Sequence, residues 1–335
     1  MRTLKEAELS GKRVLLRADL DVPLKEGQIG EDYRLKALLP TLNYLLKEKA
    51  AEIVIIGHLG RPNGKEDPAL SLKPVAVRLS ELSGRGIDFL PQLPPNPSGL
   101  IPKLSMLENL RFWPGEEEND PKFSQKLAEL GEVYVNDAFA ASHRAHASIV
   151  GISKPAYAGL RLEEEVKELR GVLENPARPL VFILGGAKTE TKAPLIPEFA
   201  KVADTILIGG KLMFDPKLEK ISRTVFPVDA VETFDIGPET GKKFAEIIKS
   251  AKTVVWNGPM GKWEEEKYEL GTRRIAEALA ETSAKTIVGG GDTIAALAAF
   301  DLLEKMKYVS MGGGAMLEFL AGQKLPGLTA LDYQS

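Results

Sequence analysis

Leu184-Gly-Gly-Ala-Lys-Thr-Glu-Thr-Lys192 follows Pro179-Leu-Val-Phe-Ile-Leu184, a run with the length and the β-branched and aromatic content of a buried strand. Gly185 and Gly186 then let the backbone bend and approach a ligand closely, since neither carries a Cβ. A helix starting after them would aim its unpaired N–H groups and positive dipole end at the same spot. Lys188 and Lys192, four apart, would share one face of that helix. The pattern suits a polyphosphate. The competing reading is a plain strand–helix turn with two solvated lysines, and this stretch alone does not separate the two.

Outward from it, strand-like and helix-like segments alternate along all 335 residues, the signature of an α/β fold with mostly parallel sheets. Strands are expected at 13–17, 53–57, 104–107 and 132–135, then at 179–184, 206–209, 224–226, 253–256, 286–288 and 308–309. Helices are expected over 33–48, over 72–82 with Ser71 as cap, over 123–130 and over 160–174, and a surface loop over the proline-rich 91–102. A fresh βα series begins at Pro179, after Asn175-Pro-Ala-Arg-Pro179 stops a charged helix. The expected architecture is therefore two doubly wound, Rossmann-like parallel-sheet domains facing a cleft and joined by a helix. Residues 1–159 form the first, 160–178 the connector and 179–324 the second.

Composition narrows the function. Lys and Arg number 44 against 47 Asp and Glu, a net charge of −3, so no global basic field for nucleic acid exists. The absence of cysteine excludes disulfides, thiolate metal sites and Cys nucleophiles. The three histidines (His58, His143, His146) are too few and too scattered for a histidine metal cage without carboxylates. No run approaches the ~20 apolar residues of a membrane span and no signal-peptide core is visible, so a cytoplasmic protein without membrane partners is expected.

Glycine, arginine, lysine or aspartate clusters follow nearly every expected strand, where open α/β sheets bind ligands. First-half clusters carry Arg34, His58, Arg61, Arg111, His143 and Arg144, suited to a small multiply charged anion. Second-half clusters carry glycines, lysines and Asp292, the usual means of holding a nucleoside polyphosphate with Mg²⁺. A single such arginine is usually solvated, and a single Gly-Gly-Gly is usually a turn. Recurrence by half favours a kinase that transfers a phosphoryl group from one domain to the other. Neither G-x-x-x-x-G-K-[ST] nor G-x-G-x-x-G occurs, which disfavours a P-loop enzyme and a dinucleotide-binding dehydrogenase.

The clusters, in order, resemble phosphoglycerate kinases over nearly the full chain. The matching stretches are Arg17-Ala-Asp-Leu-Asp-Val-Pro23, His58-Leu-Gly-Arg-Pro62, Leu107-Glu-Asn-Leu-Arg-Phe112, Asn136-Asp-Ala-Phe139 with His143-Arg-Ala-His-Ala147, Leu184-Gly-Gly-Ala-Lys188, Trp256-Asn-Gly-Pro259 and Gly289-Gly-Gly-Asp-Thr293. The resemblance implies 3-phosphoglycerate on the first domain, at Asp19, Asp21, Arg34, His58, Arg61, Arg111, His143 and Arg144. It implies Mg-nucleotide (ATP or ADP) on the second, at Gly185, Gly186, Lys188, Lys192, Gly210, Asn257, Glu264, Gly291, Asp292 and Thr293, with Asp292 toward the magnesium and Glu264 at the ribose. Arg34, Lys188 and the Gly312-Gly-Gly314 helix start, with Gly313 and Gly314, would neutralise the moving phosphoryl group. A monomer is implied, with residues 325–335 returning to the first domain and domain closure excluding water.

Some positions depart from the family pattern. Asp21 stands where asparagine is common, and would either weaken anion binding or be paired by a neighbouring arginine. Lys211, Lys262, Trp263 and Met311 are also unusual, and 210–235 is several dozen residues short of the family's segment, which supplies parts of the adenine pocket. Phosphate binding is thus better specified than base recognition. Two alternatives follow: a non-catalytic binding protein derived from the family, or the same kinase with a different nucleotide base.

Overall fold

The computed structural model describes residues 1–25, 27–94 and 102–334, so most of the expected proline-rich loop, 95–101, lies outside the described residues. Two compact units are present: Met1–Val166 with Lys324–Ser335, and Lys167–Gln323. The division falls inside the helix Leu160–Glu174.

The first unit is built on β1 (Arg13–Arg17), a small hairpin of β2 (Leu24–Lys25) and β3 (Gln28–Ile29), β4 (Glu52–Ile56), β5 (Asp88–Leu90), β6 (Leu104–Leu107), β7 (Val133–Asn136) and β8 (Ala156–Ala158). Its main sheet is parallel, in the order β5-β6-β4-β1-β7-β8. The central strands are continuous apolar runs because helices cover both faces, and Val14, Leu16, Ile53, Ile55 and Val135 are fully buried. On the adjacent C-terminal segment, Leu325, Leu328 and Leu331 are buried and Gly327 N–H donates to Ser142 O at 2.8 Å.

The second unit contains β9 (Leu180–Leu184), β10 (Thr205–Ile208), β11 (Thr224–Val225), a hairpin of β12 (Ala230–Val231) and β13 (Asp235–Ile236), β14 (Thr253–Asn257), β15 (Lys285–Gly289) and β16 (Tyr308–Ser310). Its parallel sheet runs β11-β10-β9-β14-β15-β16. The chain winds outward one way from β9 and the other way from β14, so the two central strands flank a topological switch point. Both units are thus doubly wound parallel sheets, as the alternation of the sequence predicts.

Local corrections are instructive. The expected helix after Gly186 is one turn, Thr189–Lys192, followed by a 3₁₀ turn Ala193–Leu195 and a helix Ile196–Val202, because Pro194 and Pro197 break the i to i−4 ladder. Leu72 occupies the cap position expected for Ser71, whose Oγ instead accepts Lys73 N–H at 3.2 Å. The edge strands β5 and β8 escape sequence reading: each has three residues, and Ala156-Tyr-Ala158 has no β-branched member.

Candidate active site

Each unit gathers its clusters at the carboxyl ends of its central strands. In the first, β1 and β7 are neighbours whose connections diverge, and the loops after them carry Asp19 and Asp21, and His143 and Arg144. Arg34, from the first turn of the helix Tyr33–Lys47, forms an ion pair with buried Asp19. Burial raises Asp19 against the pull of Arg34, while Asp19 and Asp21 outweigh burial and raise Arg34. Arg111 Nη1 donates to Gly60 O at 2.6 Å, and its Nε lies 3.2 Å from Glu117 Oε1. Asp21 is tied down by Gly60 N–H, donated to its Oδ1 at 2.9 Å, rather than by an arginine. Arg61 is exposed and Arg144 half-buried, and among the described residues neither has a side-chain partner.

His58 meets Arg17 through a hydrogen bond, and burial and neighbouring arginines disfavour charge on all three histidines. Burial, then Arg17 and Arg111, push His58 well below the usual imidazole range. Burial and Arg144 lower His143 to about 4, and burial with Arg111 and Arg144 lowers His146 to about 3. All three are neutral at physiological pH, and the positive charge belongs to the arginines.

In the second unit three loops cross at the switch point. Gly185 N–H donates to Asn257 O (3.1 Å), Gly186 N–H to Pro259 O (2.7 Å) and Gly210 N–H to Met260 O (2.9 Å). A Cβ on Gly185 would sit 2.2 Å from Pro259 O, and one on Gly258 2.2 Å from Gly185 O, so only glycine permits this crossing. The Gly185 and Gly186 amides thus fasten one loop to the next. Lys192 is likewise turned inward, its Nζ donating to Gly185 O at 2.7 Å and Asn257 O at 3.2 Å, and burial lowers it to about 8. Lys188 is exposed at the cap of the short helix.

Thr293 Oγ1 accepts Gly258 N–H at 2.7 Å, and Asn257 Nδ2 donates to Gly313 O at 3.3 Å, which joins β14, β15 and the Gly312-Gly-Gly314 turn. The open amides lie at the starts of the helices Gly291–Ala299 and Gly314–Leu320, whose first N–H groups have no intrahelical partner. Asp292 is exposed in the first of these turns and acts electrostatically on Lys192. Glu264 is exposed, and no contact among the described residues ties it to the cradle. Lys211 is also exposed, while Lys262 pairs with Glu265 and lies 5.9 Å from the Phe234 ring centroid.

Among the described residues no group of three or more His, Cys, Asp or Glu side chains could hold a metal ion. A magnesium held mainly by phosphates and water needs only one or two carboxylates, and the exposed Asp292 beside open amides fits that demand. Arg17 and His146 belong to the quoted motifs without an assigned site role, Glu116 and Ser148 carry no sequence signal, and all four are buried. Glu116 was hidden in the acidic run Glu116-Glu-Glu118, which reads as solvated surface.

The family model described as phosphoglycerate kinase matches residues 4–222 and 215–323, in two pieces that meet at the shortened segment. The phosphoglycerate kinase of Thermosipho africanus is 41% identical over 391 residues, covering 98% of this chain and 97% of that protein. That of Desulforapulum autotrophicum is 41% identical over 392 residues, covering 99% and 100%. Among solved structures, the phosphoglycerate kinase of Pyrococcus horikoshii superposes with a TM-score of 0.88 at 30% identity, covering 99% of this chain and 98% of that one. The Coxiella burnetii phosphoglycerate kinase gives 0.82 at 35% identity, covering 98% of each. An alignment of 391 positions against a chain of 335 residues means that relatives carry residues this chain lacks.

Proposed function

This chain belongs to the phosphoglycerate kinase family, and on that premise we propose that it catalyses reversible, Mg-dependent phosphoryl transfer between 1,3-bisphosphoglycerate and ADP, giving 3-phosphoglycerate and ATP. The observation that carries the reading is the pairing of two switch points with complementary chemistry: arginines with neutral imidazoles in one unit, lysine with open helix amides in the other. We assign 3-phosphoglycerate to Asp19, Asp21, Arg34, His58, Arg61, Arg111, His143 and Arg144, and the nucleotide phosphates to Lys188, Lys192 and the turns at Gly291 and Gly313. The protein acts as a cytoplasmic monomer in this reading.

The chemistry asks for no general base, because the carboxylate and the terminal phosphate are both anionic nucleophiles. What remains is alignment and neutralisation of the three equatorial oxygens. Arg34 and exposed Lys188 supply cations, and the amides of Gly313 and Gly314 supply donors at a helix start. Lys192, locked to two carbonyls, holds the cradle rigid. Asp292 would hold the nucleotide's magnesium, which when bound offsets phosphate charge.

A coupled assay following ATP formation from 1,3-bisphosphoglycerate and ADP tests the proposal. Binding of 3-phosphoglycerate by calorimetry without any turnover would instead make the chain a binding protein. One observation favours a second, narrower reading, an altered base preference with other bases accepted beside or in place of adenine: the family match breaks where the adenine pocket would be completed, and Lys211 within that segment and Lys262 beyond it stand exposed. Rates with ADP, GDP and IDP within about tenfold of one another would support it, since a base site with unpaired polar groups discriminates far more strongly. A strong ADP preference removes it.

A further inference from the structure

Arg17 ends β1 in the middle of the first cluster, yet it is fully buried and every nitrogen is engaged by the protein. Its Nε donates to Ser148 Oγ at 2.9 Å, its Nη1 to Ala18 O at 2.5 Å, and its Nη2 meets His58 Nδ1 at 2.9 Å. Behind it, Glu116 accepts from Ser148 twice, Oγ at 2.6 Å and N–H at 3.0 Å. Glu116 and Ser148 are also fully buried.

A guanidinium only donates, so Nδ1 of His58 has to present its lone pair. A neutral imidazole then carries its single hydrogen on Nε2, and protonating Nδ1 would set two donors against each other. His58 Nε2 lies 3.9 Å from Asp21 Oδ2, beyond hydrogen-bond distance, and is left as a donor at the anion site.

We propose that Arg17 is a positioning residue, anchored by Glu116 through Ser148, that fixes His58 as the neutral Nε2–H tautomer and so keeps a constant donor for the anionic substrate. The inference rests on the reading of this cluster as the 3-phosphoglycerate site. Burial with Arg17, Arg111 and Arg34 opposes protonation of His58, His146 beside it adds no positive charge at neutral pH, and the opposing carboxylate, Asp21, stays 3.9 Å from Nε2 with its Oδ1 engaged by Gly60 N–H. Substrate affinity should accordingly show no histidine titration between pH 5.5 and about 8, where a free imidazole would change charge.

Long-range ¹H–¹⁵N spectra of the imidazoles read this directly, without activity. The expected result is a His58 Nε2–H pattern that does not move over that pH range. An Nδ1–H pattern, or a titration of His58 inside the range, overturns the proposal. In Arg17→Met, His58 should regain a mixed tautomer pattern and titrate, and KM for 3-phosphoglycerate should rise about tenfold and become pH-dependent, with KM for the nucleotide unmoved. Ser148→Ala, which removes only the anchor, keeps the test available if Arg17→Met fails to fold, and should give the same changes in weaker form. Unaltered spectra and KM in Ser148→Ala and in folded Arg17→Met overturn the positioning role. An intact tautomer lock in a protein that binds no 3-phosphoglycerate would instead refute the substrate reading and leave the lock standing.

Discussion

Gly258→Ala places one methyl group where the three loops of the nucleotide unit cross. Gly258 has φ +98°, and a Cβ built there lies 2.2 Å from Gly185 O, 2.4 Å from Gly185 C and 2.4 Å from Lys192 Nζ. The lysine tip can swing away only by giving up its bonds to Gly185 O and Asn257 O. The backbone of Gly185 has no such freedom, since its own N–H is bound to Asn257 O and it leads directly out of fully buried β9. A positive φ costs an alanine about 1–2 kcal/mol, and overpacking at a site that yields only by backbone shift adds about 1–3 kcal/mol. The total of about 2–5 kcal/mol corresponds to about 4–20 °C in the melting temperature of a unit of this size. The loop must also move by roughly an ångström, a misplacement that can cost a phosphoryl transfer about a hundredfold. Thermal unfolding by circular dichroism and the coupled turnover assay are run together, with Gly171→Ala as control. Gly171 lies exposed within the helix Leu160–Glu174 with nothing within 4 Å of an added Cβ, and alanine there should stabilise by about 0.5–1 kcal/mol. A Gly258→Ala protein that melts and turns over like the parent would refute the account of why glycine is needed at the crossing.

Lys188→Ala should lower kcat by about 10²–10³-fold while leaving the melting temperature unchanged, because the side chain is exposed and the role proposed for it is confined to developing charge. Arg34→Ala should lose turnover as well, but also destabilise its unit by about 3–5 kcal/mol in urea melts, since it strands the buried Asp19 carboxylate. Burial raises Asp137 from 3.8 to about 6, where its Oδ1 accepts Arg161 and Leu162 N–H at the start of the helix Leu160–Glu174. The folded protein therefore holds a proton that the unfolded chain releases, and this stabilisation is full below about pH 3.9 and lost as pH rises through about 6. Between pH 5 and 7.5 the parent should lose about 1.4 kcal/mol that Asp137→Asn, which retains the Oδ1 acceptor, does not. Equal pH slopes for the two proteins would show that Asp137 is an ordinary carboxylate.

Most of the fold is legible in the sequence for a specific reason. The central strands are buried on both faces, so Leu180-Val-Phe-Ile-Leu184 and Thr253-Val-Val-Trp-Asn257 are continuous apolar runs ended by glycine. The edge strands β5 and β8 are not, because pairing along one side asks little of their side chains. Helix length after Gly186 is set by Pro194 and Pro197, which are visible in the sequence but easily outweighed by the phosphate-cradle pattern in front of them. That charged clusters follow the strand ends is readable in the sequence. The partners of those side chains are not, since Ser148, which bonds Arg17, and Glu116, which holds Ser148, lie in short helices 131 and 99 residues from Arg17.

That difference bears on how a strand-end cluster divides its labour. Cations near the end of a strand are carried into the sheet edge, where desolvation demands fixed partners: Arg17, the last residue of β1, is fully spent on Ser148, Ala18 and His58. Cations a few residues farther out, such as Arg61 beyond β4 and Lys188 beyond β9, reach solvent and keep their donors open. Arg111 is as far from β6 as Lys188 is from β9, yet the 3₁₀ turn Leu110–Phe112 rolls it inward onto Gly60 O. Local backbone shape thus decides how far a charge is already engaged by the scaffold before a ligand arrives. Lys192 follows the same logic on the nucleotide side: a single helical turn folds its ammonium back over Gly185, leaving Lys188 as the mobile cation. The two lysines that look equivalent in Lys188-Thr-Glu-Thr-Lys192 should therefore fail differently on substitution. Lys188→Ala should weaken only the chemistry, whereas Lys192→Ala should loosen the loop crossing, so that melting temperature and nucleotide affinity fall together. Unchanged stability in Lys192→Ala would mean that the carbonyls of Gly185 and Asn257 need no ammonium between them, and the division of roles would fall.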